Sequence, residues 1–444
     1  MSRLVGMVIF FAGLALALVG LAAGFYKLAG LMALGAVKLG LPASYGAAVA
    51  NVLTLMLVVM MASATLLTVA ERKWSAMMQN RIGANRIKVF GSALGGVPFL
   101  VADALKSLTK ERIEPRGSTW LLFELAPALA FAPVFALMAI VPVGPALPLQ
   151  SIVDGVDRAG QVALQVAAPD VGVLYLFAIA SLQVYGTALA GWSSNNKLAL
   201  LGGVRASSQM ISYEVSLGLS LVGVMIAYRT LRLDEMVVAQ GAAVLGPVPA
   251  IGLLVQPVGF LVFFASAFAE TKRAPFDLPE GESEIVGYFL EYSGMKFGLM
   301  FLAEFIEIVV LSGVVTAVFL GGWHPLVVDT AWLRAQVSPL WFGAICAAAF
   351  LVKMMVMMWL QLTIRWLLPR FRFDQIQKLC WKILLPVALA NIFVTGAAML
   401  LDPSMKLLAW IGVVTIVAVV VITAAVGRAP AAPEHETAHA AAGH

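Results

Sequence analysis

FGLMFLAEFIEIVVLSGVVTAVFLG, residues 297–321, runs for 25 residues with no lysine or arginine, and its only charges are Glu304 and Glu307. A bilayer-crossing helix needs roughly 20 mostly apolar residues, whereas a barrel strand reads as about 10 residues of alternating polarity, so this stretch is read as a membrane helix. Its two acids stand at i and i+3 and share one helix face. An ionised carboxylate at mid-bilayer depth costs at least roughly 2.5 kcal/mol, so acids within such a run mark a site where charge is used.

Outward from this run the same reading repeats. Spans are placed near residues 4–26, 45–70, 119–142, 171–190, 207–228, 248–269, 297–321, 340–360, 382–401 and 405–427. The chain is 61% hydrophobic and 12% charged, against about 25% charged in a soluble domain, which excludes a water-soluble fold. The class expected is all-α and polytopic. The first run has 23 uncharged residues, longer than the roughly 7 to 15 of a signal-peptide core, and is read as a retained span.

Lysine and arginine choose the sides. The connections at 71–119, 191–207, 270–296 and 361–382 carry 19 of the 29 basic residues, and the opposite connections carry 7, which puts both termini in the cytoplasm. The net charge of +5 therefore reflects topology, and no nucleic-acid partner is expected. Two cysteines and four histidines, three of them in the last ten residues, cannot build an iron–sulfur cluster or a buried multi-ligand metal site, so no metal is expected and any electron carrier sits on another chain. The tail, 428–444, lacks apolar periodicity, is read as disordered, and its His435, His439 and His444 are assigned no role.

Glu214 lies in an apolar run amid Ser207, Ser208, Ser212 and Tyr213; Glu124 and Glu270 stand at span edges. After Glu270 come Asp277, Glu280, Glu282, Glu284 and Glu291 within fifteen residues. With a helix through Glu284 and Glu291, seven residues place them on one face and Glu304 follows, so a line of carboxylates leads inward from the cytoplasmic rim, like a proton path. Acids this close in a poorly solvated place cannot all ionise. Taken alone, Glu280 and Glu282 read as solvated loop acids.

The basic connection after the second span offers an amphipathic surface helix with Phe99, Leu100, Ala104, Leu105 and Leu108 on one face. Arg72, Arg81 and Arg86, with Glu71 and Asp103, supply polar groups beside it, the mix expected where the head of an amphiphilic ligand enters from lipid. Lys353, in an apolar span among methionines, is expected to snorkel or to pair with a carboxylate.

These motifs together are specific: ERK at 71–73, QNRIGANR at 79–86, ADALKSLTKE at 102–111, AGWSSNNKLALLGGVRASSQMISYEV at 190–215, ETKRAPFDLPEGESE at 270–284, EYSGMKFGLMFLAE at 291–304 and RFDQIQKLCWKILLP at 372–386. Over about residues 45–400 the chain resembles the H-type membrane subunit of respiratory complex I, the proton-pumping NADH:quinone oxidoreductase, whose mitochondrial counterpart is subunit 1. Ala84 stands where the family pattern has proline, and Phe99 where it has glutamine.

The resemblance implies a core of eight strongly tilted helices at 45–402, with an additional helix and linker at 1–44 and another helix at 403–427. It implies that Glu71, Arg72, Arg81, Asp103, Lys106, Arg273 and Asp277 line or support a quinone entrance and chamber. Glu214, Glu280, Glu282, Glu284, Glu291 and Glu304 would form the carboxylate route. Quinone is the implied substrate, with no cofactor on this chain and with FMN and iron–sulfur clusters on partner subunits. The implied neighbours are hydrophilic-arm subunits, small membrane subunits, antiporter-like subunits and lipid, in a bacterial inner membrane. The alternatives are the equivalent subunit of a deazaflavin- or ferredoxin-dependent quinone reductase or of a membrane-bound hydrogenase, and an independent secondary transporter. The last would call for an inverted repeat, which the sequence does not display.

Overall fold

The computed structural model describes residues 2–88, 94–152, 160–246, 248–279, 285, 287–326 and 330–428. The chain is almost wholly helical: α1 (Ser2–Lys38), α2 (Ala43–Met78), α3 (Pro98–Thr109), α4 (Trp120–Ile140), α5 (Gly172–Ser193), α6 (Lys197–Tyr228), α7 (Leu233–Gln240), α8 (Gly252–Val255), α9 (Pro257–Glu270), α10 (Met295–Phe319), α11 (Thr330–Gln336), α12 (Pro339–Leu367), α13 (Phe373–Leu401) and α14 (Lys406–Arg428). Among the described residues nine helices are long and apolar enough to cross a bilayer. The polytopic helical class read from composition is the class observed.

The expected span at 248–269 differs. It is broken into α8 and α9 at Gln256, whose φ of −136° and ψ of 59° are not helical. Pro257 explains the break, since proline supplies no N–H and pushes the preceding residue out of the helical region. The remaining α9 has 14 residues, about 21 Å at 1.5 Å per residue, short of a hydrocarbon core of about 30 Å. Other helices overrun their apolar runs. The α6 helix begins ten residues before the expected span because the Asn196 side chain accepts a hydrogen bond from Leu198 N at 3.0 Å and caps it.

The α10 helix is the axis of the molecule and is the most deeply buried span; α2, α4, α9 and α12 pack around it. Where α4 and α5 cross, Gly186 meets the backbone of Ala130, and a Cβ there would lie 2.5 Å from Ala130 N. Such small-residue crossings are how helices approach closely where no water drives them together. By contrast α14 is mostly exposed.

The connection between α4 and α5 contributes strands β1 (Gly144–Pro148) and β2 (Gln161–Leu164), paired antiparallel. Asp154, Asp157 and Arg158 lie outside the described residues. Asn51 of α2 donates to Ala163 O at 2.7 Å and Gln165 O at 2.8 Å, and Tyr26 of α1 donates to Pro145 O at 2.7 Å. The first helix is thus docked onto this hairpin and onto α12.

Candidate functional site

Sequence-distant charges meet at the end of the bundle where α2 and α12 finish and α10 begins. The segment after α9 brings two bases inward. Gln209 of α6 holds it by donating to Ala269 O at 2.6 Å and Phe276 O at 2.8 Å. Lys272 takes a left-handed φ of 55°, which costs a non-glycine residue roughly 1 kcal/mol or more, and its side chain is buried.

Arg273 is the hub. Its Nη1 lies 2.6 Å from Glu71 Oε2 and its Nη2 3.8 Å from Glu304 Oε2, while its guanidinium stacks 3.9 Å from the centre of the Phe305 ring. Glu71 is shared with Arg365 of α12. Deeper along α10, Glu307 accepts a hydrogen bond from Gln183 Nε2 at 3.0 Å and faces Lys272 Nζ at 3.6 Å. Toward the surface, Arg72 pairs with Asp103 of α3 at 2.7 Å. Side-chain exposure falls along this series from 47% at Arg72 and Asp103 to 11% at Glu71 and 4% at Glu304, so the pairs grade from solvent into the interior. Buried charges persist only when paired and hydrogen-bonded, and here each pairs across different elements.

The other expected residues divide. Arg81 is exposed and its Nε donates to Gln79 Oε1 at 2.6 Å; Lys106 is exposed on α3. Asp277 accepts through its carbonyl from Arg370. Glu214 is half-buried on α6, close enough to Glu270 to interact electrostatically. Glu280, Glu282 and Glu284 lie outside the described residues. No residue of α3 is buried, so its apolar face, including Leu105 and Leu108, is open.

The helix expected through Glu291 is not there. Residues 287–294 form turns, and α10 starts only after Gly294, whose φ of 61° and ψ of −134° suit glycine alone. Tyr288, Phe289 and Tyr292 wedge this segment against α4 and α6, with Tyr292 stacked 4.0 Å from Phe123. Glu291 is instead held by the Asn196 side chain. Beside it, Lys296 pairs with Glu124 at 2.6 Å, and Arg112 with Glu124 as well. Lys353 also departs from expectation: it donates to the carbonyls of Leu320 at 2.8 Å and His324 at 2.9 Å, closing the C-terminus of α10 where the helix dipole favours a cation. Burial holds the nearby His324 imidazole below its usual pKa.

Sequence reading marked Glu270 and Glu307 as acids at or within apolar runs but left both out of the carboxylate route, and it missed Lys272, Gln183 and Arg365. Glu307 carried the same signal as Glu304, an acid inside an apolar run. Lys272 and Arg365 were hidden because bases at span ends are already accounted for by topology. Among the described residues no group of three or more His, Cys, Asp or Glu side chains is placed to hold a metal.

A bundle of membrane helices with ion pairs buried between them defines a polytopic membrane protein that keeps paired charges inside its fold. The sequence profile of the family described as NADH dehydrogenase matches residues 50–396. The chain is 42% identical over 347 residues to the second H-type NADH-quinone oxidoreductase subunit of Syntrophobacter fumaroxidans, covering 78% of this chain and 94% of that one. It is 42% identical over 350 residues to the first H-type subunit of Geobacter metallireducens (79% and 95%), and 40% over 354 residues to the first H-type subunit of Cytophaga hutchinsonii (80% and 96%). The chain belongs to the family of H-type membrane subunits of NADH-quinone oxidoreductase, respiratory complex I. Both α1 and α14 lie outside the matched residues.

Proposed function

We propose that this chain forms the membrane side of a quinone chamber with hydrophilic partner subunits and converts quinone reduction into protonation changes along its buried carboxylates. It carries no electrons itself; FMN and iron–sulfur clusters belong to the partners. The relatives are named NADH-quinone oxidoreductase, which favours NADH as donor over deazaflavin, ferredoxin or hydrogenase chemistry. The membrane is the bacterial inner membrane, with both termini cytoplasmic and α1 and α14 added to the family core.

The observation that carries this reading is the graded series Asp103–Arg72, Glu71–Arg273 and Glu304. A headgroup seated beside α3, with Arg81, Lys106 and Asp277 at the chamber wall, acts on that series. A unit charge change about 10 Å away, at an effective dielectric of about 20, is felt as about 1.7 kcal/mol, enough to change a carboxylate's occupancy more than tenfold. Glu214, Glu280, Glu282, Glu284, Glu291 and Glu304 carry the change onward to antiporter-like neighbours.

The test is Glu304→Gln and Glu214→Gln in membranes bearing the assembled complex. NADH:quinone activity and proton pumping fall together, while NADH oxidation by a hydrophilic artificial acceptor persists. Normal pumping in both variants removes these residues from the route.

A further inference from the structure

Glu307 is 3% exposed, and its two oxygens have different surroundings. Oε2 is held by Gln183 and Lys272, whereas Oε1 is buried with no hydrogen-bond partner. A buried acceptor left unsatisfied is costly, and ordered water is its usual remedy. Glu307, Glu270 and Gln183 line one small cavity, closed otherwise by Leu137, Leu176, Ala180 and the apolar face of α10. It has room for roughly one water molecule, with the two to four polar partners such a water requires. Lys272, on its left-handed backbone, interacts electrostatically with both acids.

We infer that Glu270 and Glu307 exchange a proton through a single water in this cavity, with Lys272 as the fixed counter-charge that positions Glu307. The inference rests on the reading that the buried acids carry protons, and it extends the route one step beyond Glu304 into the bundle. In the step, the Glu270 carboxyl O–H breaks as its proton passes to the water oxygen, and the water releases another proton to Glu307 Oε1. Glu270 becomes carboxylate, Glu307 becomes carboxylic acid and the water is regenerated. The summed charge of Glu270, Lys272 and Glu307 is the same before and after, so the transfer moves charge without burying more of it.

Four variants in membranes containing the assembled complex test this, with Glu304→Gln alongside. Glu307→Gln removes the titrating oxygen at constant size. Ala180→Val fills the cavity and leaves every charge in place. Both are expected to lose proton pumping while assembly and NADH oxidation by a hydrophilic acceptor persist. Lys272→Met is expected to shift the pH profile of pumping, and Lys272→Arg to restore it, which a purely structural lysine would not do. If Glu304→Gln loses pumping while Glu307→Gln and Ala180→Val pump normally, the water-bridged step is wrong and the broader reading stands. If Glu304→Gln, Glu214→Gln and Glu307→Gln all pump normally, both fall. Should Glu307→Gln fail to assemble, normal pumping by Ala180→Val still overturns the step.

Discussion

Removing the charge of Glu71 is the sharpest test of the buried network. Glu71→Gln leaves Arg273 and Arg365 facing each other without the carboxylate they share. Stripping one partner from a buried pair typically costs about 3 to 5 kcal/mol, because the other charge remains out of water. Arg365 is 23% exposed and keeps some solvation, so the lower end applies, about 3 kcal/mol. That is a factor of roughly 100 in the opening equilibrium. Two free thiols report it: Cys346 in α12 and Cys380 in α13 are both fully buried, so a maleimide reagent labels them only when the bundle opens. With reclosing faster than labelling, the rate follows the open population, and Glu71→Gln is expected to label about 100-fold faster than the unaltered chain. The control is Arg72→Ala, which breaks a half-exposed pair worth about 0 to 1 kcal/mol and therefore accelerates labelling only a few-fold. Adding Arg365→Gln to Glu71→Gln removes one stranded guanidinium and recovers part of the loss. Equal labelling in Glu71→Gln and Arg72→Ala, or strict additivity in the double variant, would refute the shared-carboxylate reasoning.

Two further outcomes follow from local geometry. Gly186→Val forces α4 and α5 apart at Ala130, an overpacking cost of about 1 to 3 kcal/mol, and lower yield of assembled complex on a native gel is the expected result; unchanged yield would mean the crossing is loose. In the α13–α14 turn, the hydroxyl of Ser404 and the backbone N–H groups of Leu407 and Ser404 hold the Asp402 carboxyl down at about 2. Its folded pKa is below the unfolded value of about 3.9, so its contribution is complete above about pH 4 and is lost as pH falls toward 2. Protection of the Ser404 and Leu407 amides, taken against their intrinsic exchange rates at each pH, should fall over that window and Asp402→Asn should abolish that fall; a flat protection profile in the unaltered chain would count against it.

Much of the frame was legible in residue order. The apolar runs at 297–321, 340–360 and 382–401 became α10, α12 and α13, because burying unsatisfied backbone in hydrocarbon leaves a helix as the only outcome for such a run. Helix ends were less legible, since capping by Asn196 and the break at Gln256–Pro257 depend on single residues that hydropathy averages away. Within the site, Glu71, Arg273 and Glu304 were named from motif and burial reasoning, and the fold brings all three into one contact series. Glu291 was placed on a helical line with Glu304, but the aromatic wedge of Tyr288, Phe289 and Tyr292 turns its segment aside.

By itself the sequence determined that this chain is a bundle of membrane helices of the H-type complex I family with acids embedded in it, because apolar length and ordered motifs are local properties that survive without any packing. Only the tertiary structure decided which charge answers which. Glu71 meets Arg273 across 202 residues and Arg365 across 294, Lys353 finds carbonyls instead of a carboxylate, and Lys272 reaches Glu307. Coulomb attraction and desolvation act through space, so partners on separate helices are chosen by how those helices cross and not by anything written next to either residue.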